Sequence, residues 1–145
     1  MKIIREQGFT LIEVLITLAV FAILASMAAP AFNTMLTNQN LNKSSRDLIS
    51  VFTDARAKAA FERRNITVKL NSSAANTNNE MNWMPTGKAT LKSGSLLTLT
   101  FLPTGLVDIT SDTEFHVCAL GTSSVSKIIT ITRMGTIQRI KEGTC

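Results

Sequence analysis

The sequence has no charged side chain between Glu13 and Lys43. Charged residues make up only 17% of the whole, against ~25% in ordinary soluble domains. Histidine occurs once, at His116, and cysteine twice, at Cys118 and Cys145. A lone histidine leaves neither a multi-histidine metal centre nor a set of His-based triad partners to be built from one chain. At 145 residues the chain has room for one ordinary domain, which excludes a two-domain enzyme. The missing charge is concentrated in one segment, and elsewhere charges recur every few positions. That pattern excludes disorder, a repeat array and a multi-span membrane protein. It leaves one hydrophobic N-terminal segment and one globular part.

What is present is basic. The net charge is +5, the sequence pI is about 9.6 and the mean hydropathy is +0.20. Lys2 and Arg5 are offset by Glu6 and Glu13, so the globular part carries the whole excess. A balance of this size aids solubility and would also draw the domain toward DNA or an acidic surface.

Three readings of the N-terminus compete. A secretory signal would put a small-residue cleavage site after a short apolar core, and Ala25–Ala31 is rich in small residues. The run Phe9–Phe32, interrupted only by Glu13, is too long for that core. As a helix it would extend roughly 36 Å, enough to cross a hydrocarbon layer of ~30 Å. Lys2 and Arg5 precede the span and no basic residue follows it until Lys43, so its N-terminus is expected in the cytoplasm. Glu13 is the anomaly. A carboxylate at the centre of a membrane helix costs ~2.5–3.5 kcal/mol on insertion scales. A plain explanation is that it sits at the interface near the helix start, where the macrodipole favours an acid.

The third reading rests on the residues around Glu13. Gly8-Phe9-Thr10-Leu11-Ile12-Glu13, behind a short basic leader and ahead of an apolar run, closely resembles the class III signal of type IV pilins and pseudopilins. The resemblance implies that a prepilin peptidase cuts between Gly8 and Phe9 and methylates the new N-terminal Phe9. Glu13 would then be the counter-ion for the α-ammonium of Phe9, in its own subunit or a neighbouring one. Pro30 removes a backbone donor and crowds the carbonyl of Ser26, so a kink or local loosening is expected. The same resemblance implies unwinding there in the assembled pilus.

Downstream, Leu41, Ser45, Leu48, Phe52, Ala55 and Ala59 recur at steps of four and three, the stripe of an amphipathic helix. One helix is predicted from about Phe9 to about Arg64. The period then changes to two at Ile66, Val68 and Leu70, followed by a polar loop over Asn71–Glu80. Further strands are predicted at Leu97–Phe101, Leu106–Ile109, Glu114–Leu120, Val125–Met134 and Thr136–Lys141. Turns are expected at Pro103-Thr104-Gly105, Ser111-Asp112, Gly121–Ser124 and Gly135. The expected fold is α+β, a long N-terminal helix whose amphipathic half packs on an antiparallel sheet. The pilin resemblance implies the same fold. The expected division is a leader over 1–8, a transmembrane and assembly helix over 9–32, and a periplasmic head over 33–145.

Asp54–Ala60 leading into Glu62–Leu70, and Phe101-Leu102-Pro103-Thr104-Gly105 followed by a cysteine-bearing strand and a C-terminal Ile-Thr-Ile strand, resemble the GspH/FimT group of minor pilins. This implies a structural subunit in the bacterial inner membrane and then the pilus, at its tip or at the start of its assembly. Such pili serve adhesion, twitching motility and DNA uptake. The implied partners are other minor pilins, the major pilin and prepilin peptidase. A GspH-like pseudopilin of type II secretion shares the same signals.

Cys118 and Cys145 both lie beyond the span, on the side where disulfides form. A bridge would contribute about 3.5 kcal/mol by loop entropy; the alternative is two free thiols. Nothing resembles an active site, and no cofactor is expected. His116, between Phe115 and Val117, reads as a half-exposed structural histidine. Asp108, Asp112 and Glu114 read as a solvated acidic edge or, without EF-type spacing, a weak cation site. Trp83, flanked by Met81 and Met84, reads as core or a pilin–pilin contact. Asn65-Ile66-Thr67 and Asn71-Ser72-Ser73 match the glycosylation sequon. The sharp alternative is DNA binding, because some FimT-like proteins capture DNA through a C-terminal Gly-Arg-x-Arg motif. Here Gly135 is followed by Thr136, and the candidate cations are Arg133, Arg139 and Lys141, so the motif is broken. Three or four such contacts would give weak, salt-sensitive binding.

Overall fold

The computed structural model describes residues 9–120 (the Ala28 side chain excepted), 125–138 and 140–145. The leader 1–8 with Gly8, the turn expected at Gly121–Ser124, and Arg139 lie outside the described residues. The chain divides into two compact units, one ending at Met35 and the other running from Leu36 to Cys145.

Helix α1 spans Leu11–Glu62 and contains Pro30. The helix continues through Pro30 without a break. Before Met35 it is apolar on every side and its large side chains are exposed, and this part is long and apolar enough to cross a membrane. After Leu36 one stripe is buried. Leu41, Ser45, Leu48, Phe52, Ala55 and Ala59 are each at most 1% exposed, as their spacing predicts. The helix ends where Arg63 adopts φ 52° and Arg64 N–H donates back to the Ala59 carbonyl at 3.3 Å. That is a left-handed stop made without glycine.

Seven strands follow: β1 Ile66–Leu70, β2 Glu80–Trp83, β3 Ala89–Leu91, β4 Thr98–Phe101, β5 Thr113–Ala119, β6 Val125–Ile131 and β7 Lys141–Thr144. The α+β architecture with a long N-terminal helix is the one expected, but the strands divide into two sheets. The first has the order β2-β1-β4, and the second β3-β5-β6-β7. All pairs are antiparallel except β1 with β2, which run parallel with Thr67 opposite Glu80 and Leu70 opposite Trp83. The connection through residues 71–79 is short for a parallel pair. At ~3.3 Å per residue it can reach roughly 30 Å, enough to run back along β1 without a crossover helix. Its backbone is tied down by Asn76 Oδ1, which accepts the Asn82 N–H at 2.7 Å, and by the Ala75 carbonyl, which accepts Asn82 Nδ2–H at 3.0 Å.

Phe52 sits at the centre of the core, its ring 5.2 Å from Phe115 and 6.2 Å from Phe101. It thereby joins α1 to both sheets. Two expected strands are corrected. Leu106–Ile109 and the start of Thr136–Lys141 each make a single bridge, Phe101 with Val107 and Ile131 with Ile137. They are the return arms of tight turns.

Candidate assembly segment and head surface

The turn pair has one geometry used twice. Leu102 N–H donates to the Leu106 carbonyl and Gly105 N–H to the Leu102 carbonyl, both at 2.8 Å. In the second turn Thr132 N–H donates to the Thr136 carbonyl at 3.0 Å and Gly135 N–H to the Thr132 carbonyl at 2.9 Å. Gly105 and Gly135 take φ of 78° and 72°, values that favour glycine. The turns meet: a Cβ on Gly135 would lie 2.5 Å from the Gly105 carbonyl oxygen. Arg56 from α1 donates its Nε–H to that same oxygen at 3.2 Å, and Val107 N–H donates to the Arg133 carbonyl at 2.9 Å. The Pro103-Thr104-Gly105 and Gly135 signals therefore mark the seam between the two sheets.

At the other end of α1, Thr10 and Glu13 form a reciprocal cap. Glu13 N–H donates to Thr10 Oγ1 at 3.3 Å, and Thr10 N–H donates to Glu13 Oε2 at 3.4 Å. This is a capping box, Thr-x-x-Glu, which satisfies two of the helix's orphan donors. The spacing is visible in the sequence, yet capping was not among the roles expected for Glu13 as an interfacial acid or a counter-ion. Phe9 stands immediately before the cap, 84% exposed. The carboxylate is thus held at the helix N-terminus, directed toward the backbone beside Phe9.

Cys118 and Cys145 form a disulfide with Cα atoms 6.0 Å apart. It ties the end of the edge strand β7 across β6 to β5, with Cys118 opposite Ser126 and Ser126 opposite Gly143. A Cβ at Gly143 would lie 2.6 Å from Ile128 Cδ1, so the Ile128 side chain lies across this position. On the same pair of strands Lys127 Nζ–H donates to Glu142 Oε1 at 2.6 Å. The hydrogen bond and charge of Lys127 hold the Glu142 carboxyl below its ordinary value.

The other sequence candidates are dispersed. Arg133 lies in the second turn, where its N–H donates to Asp112 Oδ1 at 3.4 Å, and Asp108 shares a groove with it. Lys141 is in β7 opposite Ile128, a different element. Asp108, Asp112 and Glu114 do not gather into a metal-binding group among the described residues. Glu114 instead approaches His116, Oε2 to Nε2 3.6 Å, and accepts from Thr130 Oγ1 at 3.5 Å. Trp83 is 4% exposed and belongs to the core.

The family model of the prokaryotic N-terminal methylation motif matches residues 4–29. No curated protein matches the chain. Two crystal forms of the type IV minor pilin FimU from Pseudomonas aeruginosa are similar in structure, each at 18% sequence identity over 70% of this chain. They are covered to 88% and 92% of their own length, with TM-scores of 0.55 and 0.53. At that identity the likeness establishes the fold. The chain thus joins an N-terminal methylation motif over residues 4–29 to the fold of the type IV minor pilin FimU.

Proposed function

We propose that this chain is a minor pilin, a structural subunit that helps initiate a type IV pilus or sits at its tip. A prepilin peptidase would remove residues 1–8 by cutting between Gly8 and Phe9, and would methylate Phe9. Residues 9–32 would then hold the protein in the inner membrane, with the N-terminus cytoplasmic and the 33–145 head periplasmic, until it joins other minor pilins and the major pilin. The observation that carries this reading is the capping box beside Phe9, followed by a helix whose apolar surface is uncovered on every side. Such a surface needs lipid or other apolar helices around it. Glu13 fits both settings, capping its own helix in the membrane and offering its free lone pairs to a methylated α-ammonium in the fibre. Pro30, which withholds a backbone donor inside α1, supports local unwinding of the helix on assembly.

A minor pilin is favoured over a type II secretion pseudopilin by the likeness to FimU, described as a minor pilin. DNA capture is disfavoured, since Arg133 stands among Asp108 and Asp112 and apart from the strand that bears Lys141. The test is Glu13→Ala, followed by quantification of the subunit in membranes and in sheared fibres. The variant is expected to insert and be cleaved but to be incorporated several-fold less. Wild-type incorporation would leave Glu13 with its capping role alone.

A further inference from the structure

One end of the head presents both apolar and cationic side chains to solvent. It is built where the turn over 84–88 meets the start of the head's share of α1. Thr86 N–H donates to Ser44 Oγ at 2.9 Å. A Cβ on Gly87 would lie 2.4 Å from Asn40 Nδ2, so the turn lies directly against Asn40 and Ser44. Lys88 follows, and its carbonyl accepts the Leu120 N–H at 2.7 Å. That bond brings the end of β5 to the same place. Val125, at the start of β6, comes with it, since Cys118 stands opposite Ser126.

Met84, Leu120 and Val125 are 52%, 52% and 38% exposed at this end. Lys43, Arg46 and Lys88 are exposed as well, and among the described residues none of these three side chains has an ion-pair partner. Asp47 is the only acid in α1 between Leu36 and Thr53. Glu142, on β7, is already neutralised by Lys127 at 2.6 Å. This end therefore joins a surplus of positive charge to a shallow apolar surface. Phe61, 90% exposed in the last turn of α1, stands at the opposite end, roughly 31 Å beyond Asn40 along the helix.

We propose that this end of the head docks on anionic phospholipid headgroups of the leaflet from which the chain emerges. Lys43, Arg46 and Lys88 face the lipid phosphates, and Met84, Leu120 and Val125 rest at the headgroup boundary. Reach and charge both argue for this occupant. Asn40 comes eight positions after Phe32, the last residue of the apolar run, which is ~12 Å at the rise of a helix. The headgroup layer itself accounts for ~5–8 Å of that distance, and long basic side chains carry their charge outward from the backbone. Phosphate oxygens accept charge-assisted hydrogen bonds from ammonium and guanidinium groups. Apolar contact at the boundary adds to that attraction. The end that bears Phe61 also has exposed cations in Lys58 and Arg63, but Phe61 comes 29 positions after Phe32. The proposal rests on the membrane residence of residues 9–32 under the proposed function, and it adds the surface of the head and the class of lipid.

The full chain, its Cys118–Cys145 disulfide intact, carries an environment-sensitive fluorophore on Met84→Cys or, for comparison, on Phe61→Cys. It is reconstituted in phosphatidylcholine vesicles with or without phosphatidylglycerol. Lipid spin-labelled at the headgroup should quench the fluorophore at position 84 strongly with phosphatidylglycerol and weakly without it. The fluorophore at position 61 should stay in water in both. Lys43→Gln, Arg46→Gln and Lys88→Gln should each lower the docking equilibrium roughly five-fold, and added salt should weaken it too. Fluorescence of Trp83, a core side chain, checks that each variant keeps its fold. A fluorophore at position 84 that is unquenched, equally quenched in both lipids or indifferent to the three substitutions would overturn the proposal. So would equal quenching at position 61. Flotation of the protein with the vesicles is read separately. A chain that inserts while position 84 stays in water defeats the head contact alone, and a chain that does not float defeats the membrane reading beneath it.

Discussion

The two parts of α1 solve the same problem in opposite ways. Up to Met35 the helix is apolar all round and none of its large side chains is buried within the chain. From Leu36 it is apolar on one stripe, and that stripe is buried against the sheets. A helix that is greasy on every side requires an apolar surrounding from outside, whereas a striped one can be covered by its own chain. The first part therefore looks for its stability to lipid or to other subunits. The second contains its stability within residues 36–145, where it can be measured as an ordinary folding free energy.

The sharpest way to break this comparison is to damage the buried stripe. Phe52 contacts Phe101 and Phe115, and Phe52→Ala should cost about 3–5 kcal/mol, enough to unfold much of the head in a denaturant titration. Phe21, in the apolar part and 70% exposed, is the control. Phe21→Ala should leave the head's midpoint unchanged. Equal losses at both positions would erase the distinction.

Next in size is the disulfide. Reduction, or Cys118→Ser with Cys145→Ser, should destabilise the head by about 2–4 kcal/mol, read as a lower melting temperature. Both cysteines should resist alkylation until a reductant is added.

Two glycines sharpen the comparison inside the head. Gly135→Ala meets both an unfavourable φ and the Gly105 carbonyl oxygen at 2.5 Å, so a loss of about 2–3 kcal/mol is expected. Gly94 has φ 82°, and a methyl group there would meet nothing within 4 Å. Gly94→Ala should therefore cost only about 1 kcal/mol. If the two substitutions cost the same, the twin turns are not held against each other.

The smallest effect is electrostatic. Lys127 lowers the carboxyl of Glu142 below its ordinary value of about 4.5. A carboxyl depressed in the folded state adds stability above its unfolded value, and that contribution disappears as pH falls through the folded one. Wild-type head should therefore lose slightly more stability than Glu142→Gln on acidification below about pH 4.5. Parallel pH curves for the two proteins would show that the pair adds nothing.

The sequence was most legible where burial imposes a period. The stripe from Leu41 to Ala59, the alternation of β1 and the heart of β5 follow directly from side chains meeting one core. β2 was hidden because Glu80-Met81-Asn82-Trp83 buries only its last residue and follows a loop of the same polar composition. β3 is three residues long, too short to display alternation. The arms after Gly105 and Gly135 looked like strands because Val107 and Ile137 are apolar, yet each pairs once and then leaves. At the N-terminus the motif around Gly8 and Phe9 was plain. Its Thr10–Glu13 cap had the right spacing too, but the conspicuous charge of Glu13 in an apolar run pointed first to lipid and counter-ions. The exposure of Phe61 could not be found from sequence, because exposure at a helix end depends on where the sheets stop covering it.

On the proposed function, the apolar segment is matured for assembly rather than cleaved away or left intact. Intact-mass and N-terminal analysis of the protein from cells with a functional prepilin peptidase tests this most directly. The expected result is a chain beginning at Phe9 with one methyl group on its α-nitrogen, and an unprocessed precursor when the peptidase is deleted. A mature terminus near Ala29 or Ala31, or a chain that keeps residues 1–8 in the presence of the peptidase, would contradict it.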